Sequence, residues 1–192
     1  MDGSPTEPRQ AATVIVLRGG EERLEVLLVQ RNPEARFMGG AWVFPGGALD
    51  GAEDHRAAGV REVAEEAGVT LPDASALVDF SRWITPPQVR IRFDTLFFLA
   101  RLPDGAAPRP DGGETVDLRW YAPRDALEAH ARGELQLVFP TIKTLEQLRA
   151  FTSAEELLAW ADGREVVPIE PQVLREGEVA RVVMPGEPGY RA

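Results

Sequence analysis

The side chains of this chain best placed to do chemistry are four glutamates in the segment Gly47–Val69, GALDGAEDHRAAGVREVAEEAGV: Glu53, Glu62, Glu65 and Glu66. The spacing predicts a helix from Asp54 to Ala67, ended by Gly68 in a left-handed cap. At about 100° per residue, Glu62, Glu65 and Glu66 fall within an arc of roughly 100°. Ala57, Val60, Ala64 and Ala67 gather on the opposite side. One face is therefore expected to pack on a sheet while the other shows three carboxylates to one point. Like charges at i, i+3 and i+4 weaken a helix, and the carboxyl half of the helix dipole disfavours anions further. A divalent cation removes that penalty, and hard carboxylate oxygens are what Mg²⁺ or Mn²⁺ prefers. Taken alone, a Glu-rich helix face is most often a solvated surface.

The complete spacing says more. The segment matches Gly-x5-Glu-x7-Arg-Glu-U-x-Glu-Glu-x-Gly-U, U being a bulky aliphatic, at Gly47, Glu53, Arg61, Glu62, Val63, Glu65, Glu66, Gly68 and Val69. From residue frequencies, a chance match somewhere in the chain is on the order of 10⁻⁶. The pattern resembles the nudix box. Upstream, Leu27-Leu28, Arg36, Gly40 and Phe44-Pro45-Gly46-Gly47 are spaced like the signature that precedes the box in nudix coenzyme A (CoA) diphosphatases. Downstream, Trp83-Ile84-Thr85-Pro86, Arg92–Phe98 and Leu118-Arg119-Trp120 are similar to the RP2-like branch. The likeness runs from about Ala11 to Phe151.

The resemblance implies an α/β nudix fold, a mixed β-sheet sandwiched between α-helices, and hydrolysis of a diphosphate bond by water with Mg²⁺ or Mn²⁺. It implies Glu62, Glu65, Glu66 and the Gly47 carbonyl as metal ligands, with Glu62 the first candidate to orient or deprotonate the attacking water. Glu53 and Arg61 are expected to hold loop and helix together by an ion pair. Glu114 fits the position of an extra ligand or alternative base, and equally that of an exposed loop glutamate. Arg36 is a candidate for substrate phosphate, because a planar guanidinium pairs phosphate oxygens bidentately. Phe44, Gly46 and Gly47 complete the expected substrate-binding set. Arg31, Arg90 and Arg92 are weaker candidates of the same kind. His55 reads as a surface histidine, and His130 has no partner signal. Trp83, Phe97, Phe98 and Trp120 could stack on an adenine, although aromatic strand residues are usually core. The expected substrate is CoA or acyl-CoA. The alternatives are ADP-ribose or a nucleoside diphosphate sugar, and a nudix-fold module that binds a nucleotide without turning it over.

These residues need elements to position them. A hairpin is expected from Ala11–Arg18 and Leu24–Gln30 around Gly19-Gly20, then a loop to Gly40 and a short strand Trp42–Phe44. Gly46-Gly47 reads as a tight turn. Strands follow at Phe80–Thr85, Arg92–Arg101 and Val116–Tyr121. Helices follow from Pro123, over Pro140–Phe151 and over Ser153–Ala161, the last with a Ser153/Glu156 capping box. Residues 1–10 read as a disordered tail, 11–163 as the nudix domain and 164–192 as a hairpin-like extension able to form a homodimer.

Composition narrows the field. The 192 residues carry 31 acidic against 21 basic side chains, a net charge of −10, and no cysteine. That size fits one domain. The missing thiols exclude a disulfide framework, a thiol nucleophile and a thiolate metal site. The acidity argues against a nucleic acid polymer as partner, and no apolar run suggests a membrane or a signal peptide. The expected location is cytoplasmic, and the expected partner a small-molecule nucleotide or CoA-type substrate.

Overall fold

The β-branched run after Gln10 forms the central strand of an α/β sandwich. A computed structural model describes residues 6–21, 23–176 and 179–191. Strand β1 (Arg9–Arg18) alternates between two cores, as the period of two demands. Ala12, Val14 and Val16 are buried against helix α1 (His55–Ala67), together with Leu27, Val29 and Phe98. Ile15 and Leu17 face the other way, toward α2 (Pro123–Ala131), α3 (Phe139–Leu148) and α4 (Ala154–Ala161). The mixed sheet thus lies between helices on both faces.

Along its whole length β1 pairs in parallel with β6 (Phe93–Arg101). Its other edge is shared. Near its end it pairs antiparallel with β2 (Glu25–Arg31) at Leu17↔Val26 and Arg18↔Glu25. Near its start it pairs with β4 (Gly46–Ala48), from Ala11↔Ala48 to Thr13↔Gly46. Between these contacts β2 leaves β1 to pair with β3 (Trp42–Val43) and with β7 (Thr115–Tyr121). The sheet therefore forks. On the far side of β6, β5 (Val78–Ile84) pairs antiparallel and is followed by the parallel two-residue strand β8 (Pro168–Ile169). A separate antiparallel hairpin, β9 (Gln172–Glu176) and β10 (Val179–Val183), closes the chain.

Several boundaries differ from expectation. Strand β1 starts at Arg9, inside the segment read as a disordered tail; residues 1–5 of that tail and the Gly177 turn of the extension lie outside the described residues. Gly46-Gly47 is not only a turn but part of β4. A Cβ on Gly46 would stand 2.4 Å from the Ala12 carbonyl oxygen, so only glycine lets β4 approach β1 this closely. The extension also adds β8 to the main sheet and is integrated with the domain at that point. Among the described residues no helix is long and apolar enough to cross a membrane.

Candidate active site

Helix α1 carries the carboxylates, and its ends are fixed as its sequence dictates. Asp54 caps the start, its Oδ1 accepting the Ala57 N–H at 2.8 Å. Gly68 (φ 62°) ends it in the left-handed region, its N–H reaching the Ala64 carbonyl at 3.1 Å. The orientation between these caps corrects the sequence reading. The buried residues are Ala58, Gly59, Glu62, Val63, Glu66 and Ala67, whereas Ala57 and Ala64 are exposed. The helix therefore lays two glutamates against the sheet and leaves two alanines to solvent. Glu62 is 8% and Glu66 3% exposed.

Buried carboxylates require partners. The Gly46 N–H donates to Glu66 Oε2 at 2.9 Å, tying β4 to the helix. Arg61 Nη1 donates to Glu62 Oε1 at 2.8 Å and to Glu65 Oε2 at 2.9 Å. Its Nη2 donates to Glu53 Oε1 at 2.7 Å and to the Ala48 carbonyl at 3.1 Å. Glu53 in turn accepts the Asp50 N–H at 2.6 Å. One guanidinium thus fastens loop 49–54, strand β4 and the helix together. Gly47 permits a close approach to the helix: a Cβ there would lie 2.3 Å from Glu62 Oε1.

The electrostatics follow from this packing. Burial pushes the Glu66 carboxyl up to about 7, against the lowering effect of the Gly46 N–H. Burial also raises Glu62, with Arg61 opposing, and the neighbouring Glu65 and Glu114 add to the rise. Glu53 is lowered, chiefly by its hydrogen bonds from Arg61. Two of the box carboxyls are therefore short of positive charge and a third, Glu53, is satisfied.

The set fits a divalent cation. A single cationic nitrogen of Arg61 already bridges Glu62 and Glu65, so one small ion can serve both, and the donors are hard carboxylate oxygens. Among the described residues no three acidic or imidazole side chains are yet gathered at ion-binding distance. Glu53, Glu62 and Glu65 are instead held by Arg61, and Glu66 by the Gly46 N–H.

They open onto a cleft of about 700 Å³, within the usual range for a small-molecule site. Phe44, Gly46, Gly47, Arg61, Glu62, Glu65, Glu66 and Glu114 all line it. Of the candidate aromatics, Trp83 and Phe97 line it too, while Phe98 is core and Trp120 lies under the Arg18 guanidinium. Arg36 is exposed in the loop before Gly40 and is not among the lining residues. His55 pairs with the Gln10 side chain and His130 with the Leu135 carbonyl; neither lines the cleft.

Three residues carry more than the sequence reading gave them. Arg31 lines the cleft at a register shift of β2, and its buried Nε has no hydrogen-bond partner. Asp111 accepts the N–H groups of Gly113, Glu114 and Thr115 at 3.0, 2.9 and 2.7 Å, which orders the loop that presents Glu114. Thr115 Oγ1 donates to the Glu66 carbonyl at 2.7 Å, anchoring β7 to α1. An Asx-type loop signal at Asp111-Gly112-Gly113 was available for the second of these.

A sandwich with a forked mixed sheet, and a complete Gly47–Val69 box at the fork, defines a hydrolase of the nudix class. The NUDIX domain family model matches residues 7–140, and the chain belongs to that family. It is 24% identical to the acyl-coenzyme A diphosphatase NUDT19 of Homo sapiens, over 97% of this chain and 81% of that protein. It superimposes on a NUDIX hydrolase from Alicyclobacillus acidocaldarius with a TM-score of 0.74 and 30% identity, covering 83% of this chain and 99% of the other. The NUDIX domain of Shewanella oneidensis NrtR, solved with ADP ribose, shares the fold at a TM-score of 0.60 and 22% identity, over 76% and 88% of the two chains. The chain is thus an enzyme of the family that acts on diphosphate bonds in small-molecule nucleotides, and the family generally uses divalent metal ions.

Proposed function

We propose that this nudix hydrolase cleaves the diphosphate of CoA or an acyl-CoA, using Mg²⁺ or Mn²⁺. Water adds to one phosphorus and the bridging oxygen leaves with the other. The products are a phosphopantetheine, acylated or free, and adenosine 3′,5′-bisphosphate. The observation that carries the reading is the single cleft in which buried carboxylates meet an apolar wall. Likeness to an acyl-CoA diphosphatase over nearly the whole chain supports it.

Glu62, Glu65, Glu66 and the Gly47 carbonyl hold the cation. When bound, it neutralises the diphosphate and stabilises charge developing on phosphorus. Glu62 would orient the attacking water and take its proton. Glu114, held by the Asp111 loop, lines the same cleft and is the alternative base. Arg31 supplies the guanidinium that substrate phosphate oxygens need, its buried Nε being unpartnered. Arg61 and Glu53 position the others.

The test is product release from CoA, ADP-ribose, NADH and sugar nucleotides with each metal, for wild type and Glu66→Gln. Turnover of CoA that Glu66→Gln abolishes is the expected result. Turnover confined to ADP-ribose or a sugar nucleotide would overturn the CoA assignment, and turnover of none would overturn the enzymatic reading of the site.

A further inference from the structure

Diphosphate chemistry accounts for only one end of the cleft. Among the described residues seven large hydrophobic side chains are exposed, and five of them, Phe37, Met38, Val89, Ile91 and Val182, line this cleft. They arrive from three distant segments: the loop after β2, the β5–β6 loop and strand β10. Single exposed apolar residues are ordinary, whereas their convergence on one wall marks a binding surface. Met38 reaches the wall from a left-handed backbone (φ 51°) that a non-glycine residue rarely adopts.

The wall is braced from behind. Arg92, itself buried, donates to the Thr85 carbonyl at 3.0 Å, the Thr6 carbonyl at 2.8 Å and Glu170 at 2.7 Å. Gln88 accepts the Val173 N–H at 3.4 Å, and the Tyr190 hydroxyl donates to the Glu170 carbonyl at 3.0 Å. On β10, Val183 is fully buried while its neighbour Val182 opens to the cleft. The terminal hairpin thus sits beside the β5–β6 loop and adds Val173 and Val182 to the lining of the cleft.

We propose that this wall is an acyl subsite, seating the straight alkyl chain of an acyl-CoA whose diphosphate lies at the carboxylate end. The inference rests on the CoA reading above and deepens it. The carboxylates and the five apolar side chains line one cleft, so a molecule held by its diphosphate at Glu62–Glu66 shares that cavity with the wall. A substrate polar at both ends would leave these side chains wet, whereas an alkyl chain covers them.

Chain-length dependence tests it, with kcat/KM measured for acetyl-, hexanoyl- and decanoyl-CoA. Each added methylene that reaches the wall is expected to raise kcat/KM by about twofold to fourfold. The hexanoyl-to-acetyl ratio is expected to exceed about tenfold by the same arithmetic. Ile91→Asp and Val182→Asp should collapse that ratio, and Ile91→Leu should preserve it. Because the ratio is taken within one protein, a partly misfolded variant does not distort it. A flat profile in the wild type, with CoA esters still cleaved, would overturn the subsite and leave the CoA reading standing. Failure to cleave any CoA ester while ADP-ribose is cleaved would remove the underlying reading and the subsite with it. A flat profile together with a molecular mass that Ile91→Asp lowers would assign the wall to contact between two copies of this chain, again overturning the subsite.

Discussion

The two ends of the cleft are built by opposite means. At the carboxylate end, three of the four glutamates sit on one helix, Glu62 and Glu66 buried in it, and each carboxylate has a tie: Gly46 to Glu66, and Arg61 to Glu53, Glu62 and Glu65. At the far end, apolar side chains sit on loops and on a terminal hairpin, exposed, with the polar ties placed behind them. A reaction that develops charge needs preorganised dipoles, so that end is short in sequence and rigid. A surface that recognises a variable apolar group needs area more than precision and can be assembled from remote segments. The contrast predicts that changes at the first end act on kcat and changes at the second on selectivity.

The largest effect is expected from Glu66→Gln. If Glu66 holds the proposed cation, losing its carboxylate should lower kcat by about 10³-fold. The buried carboxyl is a burden on the metal-free fold, so Tm in a chelating buffer should hold or rise. Steady-state kinetics with calorimetry checks both. A Tm that falls sharply would show the glutamate to be a structural keystone instead, and the contrast between the two ends would lose its basis.

Gly47→Ala should come next. A Cβ at that position collides with the Glu62 carboxylate at 2.3 Å, and the carboxylate rather than the β4 backbone is the part free to move. A displacement of about 1 Å can cost on the order of 10²-fold in kcat. The expected signature is a kcat loss of that size with an unchanged ratio among acyl chain lengths. A changed ratio would mean that the two ends are mechanically coupled.

Legibility in the sequence divides along the same line. The box, its helix and the Gly68 cap could be read from the sequence, because chemistry there depends on spacing within one element. The face of that helix could not. Apolar periodicity placed Ala57 and Ala64 inward, but the helix buries Glu62 and Glu66, since Arg61 and the Gly46 N–H compensate them. Periodicity assumes that charged residues face solvent, and this helix breaks that assumption. Strand β4 was hidden because two glycines carry no strand signal, and their place was set by close approach to β1 and Glu62. The apolar wall was illegible for another reason. Phe37, Ile91 and Val182 are isolated in sequence, and only the fold brings them together.

In pH the burial of Glu66 should appear as a slope. Its carboxyl is raised from 4.5 to about 7 in the folded state. Between those values the folded protein holds a proton that the unfolded chain has lost, so stability of the metal-free protein falls as pH rises through this window. The loss above pH 7 is on the order of 3 kcal/mol. Glu53 contributes with the opposite sign: its lowered carboxyl stabilises the fold above its ordinary value, and that support disappears as pH drops below it. Denaturant titrations from about pH 3 to 8 in chelator, with Glu66→Gln expected to lose most of the slope above 4.5 and Glu62 to account for what remains, separate the two windows. A slope that survives undiminished in Glu66→Gln would place the responsible carboxyl elsewhere, with Glu62 the next to replace.

The smallest effect, and the sharpest test of where one end of the cleft stops, belongs to Asp111. Its carboxyl is drawn down to about 2: burial pushes it up, but the Thr115 hydroxyl and the backbone N–H groups of Glu114, Thr115 and Gly113 more than offset that. Asp111→Ala removes four hydrogen bonds from one exposed loop, and the net loss of stability should be about 1 kcal/mol. If Glu114 acts in the reaction, loosening its loop should lower kcat a few-fold, and Glu114→Gln should give a similar loss without the change in stability. The double variant should then be no worse than the more impaired single one, because both act through the same carboxylate. Additive losses would separate the two residues. An unchanged kcat in both singles would leave Glu114 as a solvated glutamate beside the site and confine the reacting carboxylates to helix α1.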